Sequence, residues 1–348
     1  MIRVALIADT FYCRRAADRL RRRLCEAKQA GAQLAVLPEI PLNPWSPATK
    51  QARDDDAEPL GGPRCSMLSA LAKELEIHVV GGAIIRTADT RHNTTLVYDD
   101  IGNLRGTYRK LHLPCEPGFW EGDHYEEGDE LPNVIDSILP LGIQTCSDIN
   151  RPEGSHILGA LGAQLIACPR ANEKKHYADW VPVFRANARC SNAFVVSVNR
   201  PIPEQSVELG GPSIAVDPSG KVLVESTDPV CTFDLDCTLA ERAKDEYPGY
   251  LAVRARLYAQ AWSAIAEQDE TSAHQQLHCF DKVAELASKG TPTARDIFQI
   301  GYNMGRLQEM RADGREEWWD AYKQLVERGE WEAVAAAIER QRGTPRPS

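Results

Sequence analysis

Through its first two thirds the chain alternates short apolar runs with longer stretches whose apolar residues recur at helical spacing. The runs predict strands at Ile2–Ala8, Leu34–Pro38, Ile77–Ile85, Thr94–Tyr98, Leu141–Thr145, Gln164–Cys168, Phe194–Val198, Ser213–Val216, Val222–Glu225 and Cys231–Asp234. The helical spacings predict helices at Arg14–Ala30, Arg64–Glu74, Gly154–Leu161 and Tyr177–Ser191. Strands alternating with helices of this length predict an α/β layered domain. Glycine or proline marks several turns, as in Gly61-Gly62-Pro63, Asp99–Gly102 and Asp217–Gly220. Beyond Trp262 no β-like run returns. Ile297, Ile300, Met304 and Leu307 follow Thr291-Pro292 at alternating three- and four-residue steps, which predicts an amphipathic helix. Trp318, Tyr322 and Leu325 form a second such set, and Trp331, Val334 and Ile338 a third, with Gly290, Gly314, Gly329 and Gly343 as helix stops. The pattern predicts one α/β domain over 1–262 and a helical C-terminal extension over 263–348, helical as far as 342.

Composition narrows the class. At 348 residues the chain is long enough for one large domain with an appendage. Hydrophobic content of 43% and charged content of 26% are those of a globular protein. A formal net charge of −10 argues against nucleic acid and against an anionic membrane surface as partners. The arginines between Arg14 and Arg23 lie on a predicted helix and read as a solvated face. The opening "MIRVALIAD" reads as a strand, not a signal peptide, and no apolar run approaches the roughly 20 residues of a membrane span. Ten cysteines without close spacing read as reduced thiols, and a cytoplasmic location follows.

Several chemistries lack their motifs. There is no His-Glu-x-x-His and no Cys-x-x-Cys pair, and His274, His278 and Cys279 have no second ligand pair, so no metal is expected. Gly81-Gly82 and Gly210-Gly211 match no nucleotide fingerprint, and the Gly-x-Ser-x-Gly elbow is missing. Cys146 stands apart. It ends the predicted strand of "LGIQTCSDINRPEG" and precedes a helix whose N-terminal amides favour thiolate. Strand C-termini are where open α/β sheets place their sites. Two further strand ends carry charge: "LAVLPEIPLNPW" ends an apolar run on Glu39, and "GTYRKLHLP" places Arg109-Lys110 after a short strand. A carboxylate closing a buried strand is costly unless paired.

These segments resemble the three catalytic blocks of the nitrilase superfamily, the carbon–nitrogen hydrolases: "VLPEIPLNPW", "YRKLHLP" and "GIQTCSDINRPEGSHILGALGAQLIACP". The segments "NTTLVYDDIGNLRGTYRK", "PGFWEGDHYEEGD", "FVVSVNR" and "GGPSIAVDPSGKVLVE" agree, in order, so the resemblance runs from Met1 to about Trp262. It implies an αββα sandwich that forms a homodimer or larger homo-oligomer. It also implies Cys146 as nucleophile, Glu39 as general base, Lys110 at the oxyanion site and Glu121 in support, with no cofactor. Ser147 stands where many members carry a bulky aromatic, and Ser191 where many carry a glutamate, which bears on substrate subfamily. Trp45, Ser147, Arg151, Arg170 and Asn172 are the candidates to line the substrate pocket. Of these, Arg151 or Arg170 is suited to a substrate carboxylate.

The function expected is hydrolysis of a linear amide or ureido bond through a Cys146 thioester. The segment around "RKLHLP" and "PGFWEGDHYEEGD" looks most like branches acting on N-carbamoyl amines or N-carbamoyl amino acids, with ω-amides next. Two alternatives are an acyl or amine transferase using the same site, and a catalytically silent scaffold acting through the extension.

Overall fold

The computed structural model describes residues 1–269 except Cys13 and Asp89, and scattered positions from 283 to 336. It divides into two units, Met1–Ala252 and Val253–Ser348. The strands of the first unit are β1 (Ile2–Leu6), β2 (Leu34–Val36), β3 (Ala57–Glu58), β4 (His78–Thr87), β5 (Thr90–Tyr98), β6 (Leu104–Arg109), β7 (Cys115–Glu116) and β8 (Phe119–Trp120). They continue as β9 (Ile135–Asp136), β10 (Pro140–Ile143), β11 (Leu165–Arg170), β12 (Phe194–Asn199), β13 (Ser213–Val216), β14 (Val222–Ser226) and β15 (Cys231–Leu235). Its helices are α1 (Ala16–Gln29), α2 (Pro63–Leu75), α3 (Pro152–Ala160), α4 (Tyr177–Ser191) and α5 (Cys237–Ala243).

Two sheets result. One runs β15-β1-β2-β4-β5-β6, with β3 on β4, and the other runs β14-β13-β12-β11-β10-β9. At the centre of each the strands are parallel: β1, β2 and β4 in the first, β10, β11 and β12 in the second. Alternate side chains explain the layering. Val4 and Leu6 of β1 meet Leu141, Ile143, Leu165 and Ala167 of the other sheet in a shared core. Ala5 points the opposite way, onto Leu20 and Leu24 of α1 and Leu68 and Leu71 of α2. On the second sheet Ile166 and Cys168 turn outward onto Leu158 of α3 and Phe184 and Ala188 of α4. The order helix, sheet, sheet, helix is the expected αββα sandwich. Burial on both faces is why these strands read as unbroken apolar runs.

Several edges differ from the sequence reading. β5 begins at Thr90 rather than Thr94, and β6, α5 and the two-residue strands carry no apolar run long enough to signal them. The arginine-rich face of α1 is not wholly solvated: Arg19 and Arg23 both reach the buried carboxylate of Asp9. In the second unit, helix α6 (Ala255–Asp269) exposes Leu257, Tyr258, Trp262 and Ile265. Further along, Ile300 and Val334 are buried and Trp331 is partly buried. Ile297, Met304, Leu307, Trp318, Tyr322 and Ile338, with His274, His278 and Cys279, lie outside the described residues. No helix among the described residues is long and apolar enough to cross a membrane.

Candidate active site

The site is built at strand ends. Glu39 follows β2 and is 1% exposed. The next residue, Ile40, has φ +35°, a left-handed conformation that a β-branched side chain rarely adopts. Gly82 of β4 lets that turn sit close, because a Cβ there would lie 3.3 Å from Ile40 N and 3.2 Å from Thr94 O. Lys110 follows β6, and its N–H donates to Asn93 O at 2.9 Å. Glu121 opens a one-turn helix, Glu121–Asp123, anchored by its N–H on Pro114 O at 3.0 Å. Cys146 opens another, Cys146–Asn150, at φ +50°. The nucleophile candidate therefore sits on a sharp turn between β10 and α3.

Four of these side chains converge out of solvent. Lys110 Nζ lies 2.8 Å from Glu39 Oε1 and 2.6 Å from Glu121 Oε1, and all three side chains have zero exposure. Asn93 Nδ2 donates to Glu39 Oε1 at 2.8 Å and to Glu121 Oε2 at 3.4 Å. Glu39 Oε2 is buried without a hydrogen-bond partner. Cys146 is 4% exposed, with Sγ 3.6 Å from Ala171 O.

The electrostatics follow from burial and neighbours. Burial raises the Cys146 thiol well above its usual pKa, and Glu39 raises it further against the pull of Lys110. The resting sulfur is therefore protonated. Burial disfavours the Lys110 ammonium, but Glu121 and Glu39 outweigh it and hold its pKa well above ordinary. Burial pushes Glu121 up to about 7, with Glu39 adding to the rise and Lys110 opposing it. One ammonium thus faces two carboxylates, one of which takes up a proton near neutrality.

Two groups were not singled out by sequence. Asn93 lies in the polar half of β5, although it opens the "NTTLVYDD" segment. Asp148, two residues past Cys146, is fully buried and accepts from Tyr108 OH, His112 N and His112 Nδ1, each at 2.8 Å, and from Leu111 N at 3.4 Å. It ties the cysteine turn to the segment that follows Lys110. Only its position inside "TCSDIN" signalled it.

Of the pocket candidates, Arg170 and Asn172 bond to each other, and Ser147, Trp45 and Arg151 have other surroundings. Ser147 donates through Oγ to His112 O. Trp45 is wholly buried, its Nε1–H on Gly118 O at 2.9 Å and its ring edge-on to Phe119. Arg151 is exposed at the start of α3. Arg170 is wholly buried and donates to Ser197 Oγ, Asn172 Oδ1 and Pro212 O, all neutral. Burial lowers its pKa to about 10. Asn172 keeps its Nδ2 buried and unpartnered. Among the described residues, no three His, Cys, Asp or Glu side chains are grouped to hold a metal ion.

Comparison with known proteins decides the family. The carbon–nitrogen hydrolase family pattern matches residues 14–244. The chain belongs to that family. It is a nitrilase-superfamily protein and a hydrolase of non-peptide carbon–nitrogen bonds. The chloroplastic omega-amidase of Arabidopsis thaliana is 31% identical over 249 residues, covering 67% of this chain and 66% of that protein. Omega-amidase NIT2 of Bos taurus is 29% identical over 243 residues, covering 67% and 87%. A carbon–nitrogen hydrolase from Helicobacter pylori G27 superposes with a TM-score of 0.69 at 21% identity, covering 75% of this chain and 98% of that one. Saccharomyces cerevisiae Nit3, a member of branch 10 of the nitrilase superfamily, gives 0.62 at 25% identity, with 73% and 96% covered.

Proposed function

We propose that this hydrolase cleaves a linear amide or ureido bond through a thioester on Cys146. The observation that carries the reading is the division of labour at Glu39. Oε1 is committed to Lys110 and Asn93, and Oε2 remains without a partner in the buried cluster that raises the Cys146 pKa. A thiol held protonated needs a base beside it. Glu39 Oε2 takes the Sγ proton as sulfur attacks the carbonyl carbon. The carbonyl π electrons move to oxygen, where Lys110 and the Ser147 N–H stabilise the negative charge. Collapse expels the amine, which leaves with the proton from Glu39. Water then attacks the thioester carbon, Glu39 takes its proton, and the acid departs as sulfur recovers a hydrogen. Glu121 fixes the far side of Lys110.

The names of the relatives favour an ω-amide over an N-carbamoyl compound, and a homodimer or larger assembly belongs to the same reading. The exposed apolar side chains of α6 support that assembly, which light scattering measures. The test of the chemistry is intact-mass spectrometry with matched ω-amide, primary amide, carbamoyl and nitrile compounds. An acyl adduct on the protein, lost in Cys146→Ala together with all turnover, is the expected result. Turnover by Cys146→Ala overturns the assignment, and product formed only with an added amine makes the enzyme a transferase.

A further inference from the structure

Beyond the four converging side chains, one buried ion pair holds the backbone on which Glu39 sits. Arg200 follows β12, and Glu204 comes four residues later. Their side chains are 0% and 3% exposed. Arg200 Nε donates to Glu204 Oε1 at 2.8 Å and Nη2 to Glu204 Oε2 at 2.7 Å, a bidentate pair. Nη1 donates to two successive carbonyls, Glu39 O and Ile40 O, both at 2.9 Å. Nη2 also donates to Asn43 O at 2.9 Å. All five N–H groups of the guanidinium are thereby used. Glu204 Oε2 in turn accepts from Trp45 N at 3.1 Å. The guanidinium lies over the Tyr12 and Trp45 rings, 5.8 and 5.7 Å from their centres.

The geometry has a specific consequence. In extended backbone, successive carbonyls point to opposite sides. Here those on either side of Ile40 converge on one nitrogen, at the residue whose φ is +35°. The two peptide units that bracket this turn are therefore oriented by Arg200, and the Glu39 side chain leaves the chain beside them. A buried ion pair is weak as a source of stability, since apolar residues of similar volume often replace one without loss. Its five directed bonds make it effective as a fixture.

We infer that Arg200 and Glu204 are positioning residues for the general base. They hold the 39–45 turn so that Glu39 Oε2 faces the thiol, and they act on the rate of both chemical steps rather than on substrate binding. This rests on the reading of Glu39 as base. Arg200→Lys is the direct test, because an ammonium keeps the charge but cannot reproduce the planar five-donor fork. The readouts are kcat and KM taken separately, the fraction of Cys146 that an amide substrate acylates, and the rates of thioester formation and clearance by mass spectrometry. With the base displaced by a fraction of an ångström to an ångström, kcat falls roughly 10- to 100-fold. KM stays within about threefold, the acylatable fraction is unchanged, and both thioester steps slow together.

A kcat within about twofold of the parent overturns the inference, as does a loss confined to KM or to the amount of folded enzyme. If Arg200→Lys does not fold, Glu204→Gln decides by the same criteria, because it keeps the shape and the acceptor for Trp45 N. Cys146→Ala and Glu39→Gln run alongside. If either turns over like the parent, the proposed function has failed and the fixture with it. If both are inactive while Arg200→Lys and Glu204→Gln keep full rate, only the positioning role is wrong.

Discussion

Replacing Lys110 with methionine tests whether the centre of the site is charge-compensated as its distances imply. Lys110 Nζ is within 2.8 Å of carboxylates on both sides, and none of the three side chains reaches solvent. Methionine keeps the stem and removes the ammonium, leaving Glu39 and Glu121 facing each other with Asn93 as their shared donor. Removing one partner of a buried pair costs about 3–5 kcal/mol. At about 2–4 °C per kcal/mol for a domain of this size, melting falls by roughly 6–20 °C. The loss must depend on pH. Glu121 already sits at about 7 despite the downward pull of Lys110, so its folded-state pKa rises further in the variant. A carboxyl whose folded pKa lies above its unfolded value contributes stability at low pH, and that contribution is lost as pH climbs through the folded value. Urea denaturation at about pH 5.5 and about pH 8.5 should therefore show a deficit that is larger at the higher pH. Adding Glu121→Gln to the variant should restore much of it. A Lys110→Met protein as stable as its parent at the higher pH, or a double variant weaker than the single one, refutes the argument.

Three other perturbations follow from the same geometry. Glu121→Gln removes a group raised from 4.5 to about 7, so the parent's stability relative to the variant should fall as pH rises across that window. The fall is on the order of 3 kcal/mol, and a difference that stays flat with pH contradicts it. Asp148→Ala strands the donors of Tyr108, Leu111 and His112, and unfolding should become easier by about 3–5 kcal/mol. A change under about 1 kcal/mol would mean these donors find other partners. Gly82→Ala pushes a methyl against Ile40 N and Thr94 O, so kcat should drop with little change in KM and a stability loss of about 1–3 kcal/mol. Unchanged steady-state kinetics would show that the Glu39 turn tolerates the shift.

Most of the architecture was legible because its central strands are buried twice. β1, β2, β10, β11 and β12 each face a sheet on one side and helices on the other, which compels continuous apolar runs. The Tyr177–Ser191 helix was read to the residue. What escaped is polar for a reason. The first half of β5, "TRHN", reads as a loop because it is polar: Thr90 is exposed, His92 bonds Glu126 O, and Asn93 turns into the site. Arg200 and Glu204 escaped likewise, since pairing across buried space leaves no periodic trace in the chain. Glu39 and Cys146 stood out because each closes an apolar strand with chemistry that does not belong in a core, and Lys110 because it ends a short strand inside a recognisable block. Arg170 shares a strand end but bonds only to neutral groups, and Trp45, in the loop after β2, packs against Phe119.

The shared core also bears on how the enzyme can be tuned. Glu39, Asn93 and Lys110 hang from one sheet and Cys146 from the other. The Thr95–Thr145 hydroxyl pair, 3.0 Å apart, crosses between them one residue short of the sulfur. The sandwich is thus a caliper, with the proposed acceptor of the proton on one jaw and its proposed donor on the other. Interior residues such as Val97 and Ile143 are the shims that set the gap. Lineages could alter rate by trading a methylene deep between the sheets, leaving every reacting group and every pocket wall as it was.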